Sequence, residues 1–136
     1  MSDNSACPMA YATFSNGTTY GWFTDSPHTI TGSFTIASGK GTLFSESEVR
    51  QVGNWVFIHI SATGVPTGTT AIEPWGTLSG VPLPKKNVRG VCGSGTQLYN
   101  ANHTCYFLVG TSGNITIQKS TSADTAINLE CSYPVY

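Results

Sequence analysis

One stretch, GNWVFIHISATG at residues 53–64, limits the folds open to this chain more than any other. Alternate side chains of a β-strand face opposite sides of a sheet. A sheet with one wet face would carry polar residues on that face, but here both faces are largely apolar. The second face must then be covered by another sheet of the chain, by a neighbouring subunit or by a stacked carbohydrate ring. The two faces hold Val56, Ile58, Ile60 and Ala62 on one side and Trp55, Phe57, His59 and Ser61 on the other.

Short β-branched or aromatic runs recur along the whole chain between clusters of Gly, Pro, Asn and Ser, and no segment has a helical period. This pattern predicts a single all-β domain over residues 1–136, an antiparallel β-sandwich or a jelly-roll-like barrel with little or no helix. The predicted strands lie near residues 10–14, 19–24, 28–37, 41–50, 54–62, 71–78, 87–92, 104–110, 114–119 and 125–133.

The links between the strands have recognisable turn chemistry. Asn16-Gly17 suits a hairpin turn, and Gly-rich turns are expected at residues 38–41 and 112–114. The two prolines within residues 79–90 cannot donate to a sheet ladder, which predicts a surface crossover there. The last strand alternates, with Ile127, Leu129, Cys131, Tyr133 and Val135 on one face.

Charge and hydropathy exclude two classes of partner. Only 10% of the residues are charged and the net charge is −1, so there is no basic surplus to bind nucleic acid. No stretch approaches the ~20 apolar residues that cross a bilayer, so we expect no membrane insertion. The N-terminus has neither a positive region nor an apolar region of a secretion signal, and we expect synthesis in a cytoplasm.

No catalytic or metal-binding motif is present. The chain lacks G-x-S-x-G, a phosphate loop, H-E-x-x-H and any Cys/His group with zinc spacing, so we expect no enzyme activity, no metal and no cofactor. Asp25 and Asp124 look like turn residues, and Glu46 and Glu48 like exposed ones. His59 is interpreted as structural, and His103 as a solvated or interface residue.

The four cysteines are Cys7, Cys92, Cys105 and Cys131. Cys105 and Cys131 lie within apolar strand patterns and are interpreted as buried free thiols. A Cys92–Cys105 bridge is sterically conceivable, but assembly in a cytoplasm would disfavour it. We therefore expect mostly reduced thiols.

Lys85, Lys86 and Arg89 form the one dense basic group. They either contact an acidic neighbour or an anionic sugar, or they are simply solvated. The candidate interface or glycan contacts are therefore the following residues: Trp55, Phe57, His59, Trp75, Lys85, Lys86 and Arg89.

Four segments in residues 49–136 occur in a familiar order: VRQVGNWVFIHISATG, EPWGTLSGVPLP, TSGNITIQKS and INLECSYPV. Together they resemble the compact β-domains of bacteriophage fibres and baseplate receptor-binding proteins. One departure is that Leu83-Pro84 is followed by KKNVRG, where many such domains have an aromatic residue and a second proline.

The resemblance implies a non-enzymatic virion protein, made in the host cytoplasm, that forms a homotrimer and contacts other virion proteins. It implies a role in host attachment through cell-surface carbohydrate, as in a tail fibre. Since the sequence shows no shaft of heptads or collagen-like repeats, a capsid decoration (cement) or head-fibre protein is the alternative. A cellular trimeric jelly roll or lectin is a third.

Overall fold

A computed structural model describes the backbone of residues 10–13 and 19–23 and all atoms of residues 29–135. This part of the chain contains eleven strands and a single 3₁₀ turn, Leu98–Asn100. The strands are β1 (Ala10–Thr13), β2 (Thr19–Phe23), β3 (Thr29–Ile36), β4 (Thr42–Leu43), β5 (Glu48–Val52), β6 (Trp55–Thr63), β7 (Ile72–Ser79), β8 (Val88–Gly95), β9 (His103–Val109), β10 (Asn114–Lys119) and β11 (Ala126–Pro134).

Eight of these strands form a closed antiparallel barrel, which confirms the predicted all-β fold class. The order around the wall is β11-β8-β9-β10-β7-β3-β5-β6, and the pairing of β6 with β11 closes it. The closing pair is long, running from Ile127 opposite Ala62 to Pro134 opposite Trp55. The short strand β4 pairs with the end of β6, while β1 and β2 form a separate hairpin.

The predicted strand at 41–50 is divided into β4 and β5, which is a difference from the sequence prediction. A turn at residues 44–47 separates them, closed by a hydrogen bond from Ser47 N to Phe44 O. The hydroxyl of Ser47 accepts from Ser61 N at 2.9 Å and donates to Ser61 O at 3.0 Å. The Ser47 side chain thus forms hydrogen bonds that a backbone group would form in a continuous strand. The alternation of residues in the sequence does not reveal such a replacement.

The alternation predicted for β6 and β11 is confirmed. Val56, Ile58, Ile60 and Ala62 are buried in one hydrophobic core with the inward residues of β11. Burying each such side chain stabilises the fold by roughly 1.5–3 kcal/mol.

Two phenylalanines lie over glycines of a neighbouring strand. The ring of Phe34 would be 2.3 Å from a Cβ added to Gly76, and the ring of Phe107 would be 2.8 Å from one added to Gly90. Only a residue without Cβ leaves room for these rings, and the aromatic side chains in turn cover the glycine backbone.

The predicted links are confirmed where the structure describes them. The turn at residues 38–40 uses Gly39 at φ 75°, and the β9–β10 hairpin uses Gly113 at φ 87°. Residues 80–87 form the predicted crossover, since β7 and β8 are not neighbours in the barrel. Tyr133 Oη donates to Pro82 O at 2.6 Å and holds this crossover. The predicted Asn16-Gly17 turn lies outside the described residues.

Candidate functional site

The second face of β6 lies on the outer wall of the barrel. Trp55 is 43% exposed and Phe57 is 40% exposed, and no second sheet within residues 29–135 covers them. With His59 they stand in one line at intervals of about 7 Å along the strand. We call Trp55, Phe57 and His59 the outer aromatic strip. Within residues 29–135, the first of the three covers considered from the sequence, a second sheet of the chain, is therefore absent.

The neighbouring strands place polar groups on both sides of the outer aromatic strip. Phe57 lies opposite Arg50 of β5 and Ser132 of β11. His59 lies opposite Glu48 and Glu130 on the same two strands. At the other end, Trp55 is flanked by Val52 and Pro134. The strip therefore runs from an apolar end at Trp55 to an acidic end at His59.

An open concavity of about 590 Å³ lies over the Phe57–His59 part of the strip. Arg50 spans it, with Nε 3.0 Å from Glu48 Oε1 and the guanidinium 5.8 Å from the centre of the Phe57 ring. The charged and polar residues that line this concavity are Glu46, Glu48, Arg50, His59, Glu130 and Ser132. It thus presents an aromatic face beside carboxylate acceptors and guanidinium donors.

Each ring nitrogen of His59 lies near a polar side chain of the outer wall or its neighbourhood. Its Nδ1 is 2.9 Å from Glu130 Oε1, and its Nε2 is 3.4 Å from Ser61 Oγ. Because a carboxylate only accepts, Nδ1 carries a proton that it donates to Glu130. The hydrogen bond to Glu130 fixes the ring in the line of the outer aromatic strip.

Ser61, His59 and Glu130 thus have the order of a nucleophile, a base and an orienting carboxylate, an arrangement that the sequence analysis missed. A hydrogen bond to Asn128 determines whether the Ser61 hydroxyl in this arrangement can act as a nucleophile. Asn128 Nδ2 donates to Leu98 O, which turns Oδ1 towards Ser61 Oγ, and the hydroxyl proton is donated there at 3.0 Å. Since Ser61 is also only 3% exposed, its hydroxyl is neither directed at His59 nor open to a substrate.

The basic group lies beside the apolar end of the strip. Lys85 and Lys86 are exposed and line a depression together with Pro134, the residue paired with Trp55. Arg89 is exposed on β8. Trp75 is separate from all of these, because it is fully buried in the core. The structure therefore brings Trp55, Phe57, His59, Lys85 and Lys86 into one region and removes Trp75 from the set of surface contacts.

A buried polar cluster of Lys119, Asp124 and Ser94, with the exposed His103 bound at its rim, lies at one end of the barrel, and the sequence analysis missed it. The Asp124 carboxylate is fully buried, accepting from Ser94 Oγ at 2.8 Å and lying 3.0 Å from His103 Nδ1. Lys119 Nζ donates to Pro66 O and Asp124 O, and burial lowers its pKa. The sequence did contain a signal for the burial of Lys119. Strand alternation places Lys119 on the inward face of β10 together with Ile115 and Ile117.

Asp124 therefore differs from its interpretation as a plain turn residue, whereas His103 is exposed, as expected of a solvated or interface residue. Asp124 does follow a turn, but its carboxylate organises the buried polar cluster. His103 is also bound to that carboxylate. Glu46 and Glu48 are exposed, as expected.

The thiol of Cys131 and the phenol of Tyr133, on the inward face of β11, lead us to expect that the fold loses stability at alkaline pH. Burial raises the pKa of Cys131 from 9.0 to about 11 and, with a smaller contribution from Cys131, that of Tyr133 from 10.0 to about 12. The folded protein thus keeps protons that the unfolded chain loses, so stability falls as pH rises from about 9. Urea unfolding between pH 8 and 11 should show this fall, and Cys131→Ala should make it shallower. An unchanged pH profile in Cys131→Ala would contradict the assignment.

Among the described residues, no group of three or more His, Cys, Asp or Glu side chains is arranged to hold a metal ion. The same part of the chain has no helix that is long and apolar enough to span a membrane. In comparisons with known proteins, no family model and no curated protein matches this chain.

Proposed function

We propose that this protein is a non-enzymatic structural protein of a bacteriophage virion, with a receptor-binding-type β-barrel that binds host cell-surface glycans. The observation that carries the proposal is the outer aromatic strip, in which two rings stand exposed on the barrel wall beside the concavity. The pattern resemblance to fibre and baseplate domains supports the location on a virion. In this proposal the chain is made in the host cytoplasm and is incorporated into the virion there.

The chemistry of the strip suits a sugar. A pyranose ring has an apolar C–H face that stacks on an aromatic ring and a rim of hydroxyls that need donors and acceptors. Trp55 and Phe57 supply the rings, while Glu48, Glu130 and Arg50 supply acceptors and donors. Because three carboxylates and a single guanidinium line the concavity, a neutral glycan fits it better than an acidic one.

A second exposed apolar area supports assembly. Val91 of β8 and Tyr106 of β9 are cross-strand partners on the outer wall, 62% and 57% exposed. Contact with other copies through this area would leave the outer aromatic strip free, and we propose a homotrimer held in this way. The same area supports the second candidate function, a capsid decoration or cement protein that clamps other virion proteins.

The change Trp55→Ala tests the glycan proposal. It removes one stacking ring without touching the core, so we expect at least tenfold weaker binding to neutral glycans on an array of bacterial surface polysaccharides. Light scattering of the same variant should show an unchanged oligomeric state. Tyr106→Ala is the matched control, since it removes an exposed ring elsewhere on the wall and should leave the affinity of each single glycan site intact, although a dispersed oligomer loses its multivalent binding to the array.

The outcomes separate the two candidates. If Tyr106→Ala disperses the oligomer and Trp55→Ala abolishes glycan binding, the proposal stands. If neither wild type nor variants bind any glycan while the protein binds purified phage capsids in a fixed copy number, the cement function replaces it. A trimer that Trp55→Ala dissociates would mean that the strip is a subunit interface.

A further inference from the structure

The strands β8 and β9 place two cysteines directly opposite each other. Cys92 pairs with Cys105 in the register of these strands, and both are free thiols. Cys105 is fully buried and Cys92 is half-buried against the same core. Cross-strand partners have Cα atoms about 4.5–5.5 Å apart, which lies within the range that a disulfide spans.

The third described thiol, Cys131, differs in its partner. It pairs with Ile58 of β6, on the side of β11 away from β8, and so has no cysteine opposite it. A direct cross-strand pair therefore exists for Cys92 and Cys105 alone among the cysteines that the structure describes.

The two sulfurs of the pair are chemically unequal. The Cys105 thiol donates to Tyr106 O at 3.6 Å, and a hydrogen-bonding contact between the two sulfurs shifts their pKa values in opposite directions. This contact lowers the pKa of Cys105, which the nearby Lys119 ammonium also favours. The same contact, together with burial, raises the pKa of Cys92. Cys105 is thus the more acidic thiol of the pair and, once deprotonated, its nucleophile.

We propose that Cys92 and Cys105 are a peroxide-sensitive site that forms a disulfide between β8 and β9. The Cys105 thiolate attacks one oxygen of hydrogen peroxide, the O–O bond breaks, and the departing hydroxide takes up a proton to become water. Cys105 is then a sulfenic acid. The Cys92 sulfur attacks the sulfenic sulfur, the S–O bond breaks, and the hydroxyl leaves with the proton of Cys92 as a second water. The two sulfurs are oxidised and one peroxide is reduced to two waters.

Small size favours peroxide as the oxidant, because Cys105 is buried behind the half-buried Cys92 and only a molecule close to the size of water can enter during small fluctuations of the barrel wall. A bulky disulfide such as oxidised glutathione cannot reach this sulfur while the barrel is closed. The expected selectivity is therefore fast oxidation by peroxide and slow oxidation by glutathione disulfide. This inference is independent of the proposed glycan binding.

The experiment treats the purified, reduced full chain with hydrogen peroxide, blocks the remaining thiols under denaturing conditions and maps cross-linked peptides by mass spectrometry. We expect a Cys92–Cys105 peptide in most molecules, reversed by dithiothreitol. Cys131→Ser should keep this cross-link, and Cys105→Ala should lose it. Melting curves of oxidised and reduced wild type report the cross-link without any substitution, and the oxidised form should melt higher.

Three results would overturn the proposal. The first is that Cys92 and Cys105 both remain open to alkylation after peroxide treatment that oxidises Cys131. The second is a cross-link that joins Cys92 to Cys131. The third is equal oxidation rates with peroxide and with glutathione disulfide, because the closed barrel would then not control access.

Discussion

Trp75→Ala is expected to lower the free energy of unfolding by about 3–5 kcal/mol, the usual cost of deleting a buried tryptophan. Trp75 is fully buried and lies 5.3 Å from the Phe34 ring, centre to centre. Its Nε1 also donates to Lys40 O at 3.1 Å, so the substitution leaves that carbonyl without its partner. For a domain of this size the melting temperature should fall by about 10–20 °C.

The matched control is Trp55→Ala, which removes the same side chain from the outer wall. Because Trp55 is substantially exposed, its loss should change the free energy of unfolding by no more than about 1 kcal/mol. Urea unfolding followed by far-UV circular dichroism measures both variants. Equal destabilisation by the two substitutions would show that the outer aromatic strip is covered within the chain.

Lys119→Ala is expected to have an effect of similar size, about 3–5 kcal/mol, because it breaks a buried polar arrangement by removing one partner. The carbonyls of Pro66 and Asp124 lose their donor, and the buried Asp124 carboxylate loses the nearby cation. The end of the barrel should loosen first. Faster hydrogen exchange of the Val65 and Thr125 amides, which hydrogen-bond in this region, would report that loosening.

Two controls separate charge from packing. Lys119→Met keeps an apolar stem of similar length and should lose less stability than Lys119→Ala. Lys86→Ala removes an exposed lysine and should stay within about 0.5 kcal/mol of wild type. If Lys119→Ala unfolds at the same urea concentration as Lys86→Ala, the buried polar cluster does not stabilise the barrel.

Much of the candidate site was predictable because the strand period is local. The placement of Trp55 and Phe57 on the second face of β6 follows from their alternation with Val56 and Ile58, but their exposure was not predicted, because a cover for both rings was expected. The polar neighbours of the strip were not predictable in the same way. Glu130 is 71 residues from His59 in the chain, and only the pairing of β6 with β11 brings them together.

Trp75 shows the limit of such reasoning. It was grouped with Trp55 among the candidate surface contacts, yet it is fully buried. Trp75 lies on the part of β7 where the register with β10 is irregular, and in the core it packs against the Phe34 ring. Burial of a large side chain depends on which strand passes over it, and nothing in the adjacent residues specifies that strand.

The sequence by itself determined the all-β class, the inward and outward faces of β6 and β11, and the glycine turns, since each depends on residues close together in the chain. Only the tertiary structure decided that the sheet closes through β6 and β11, that Lys119 is buried with Asp124, and that Cys92 faces Cys105. The physical reason is that strand order and register are set by contacts between distant segments. Their energies are summed over the whole barrel and are not encoded in any local spacing.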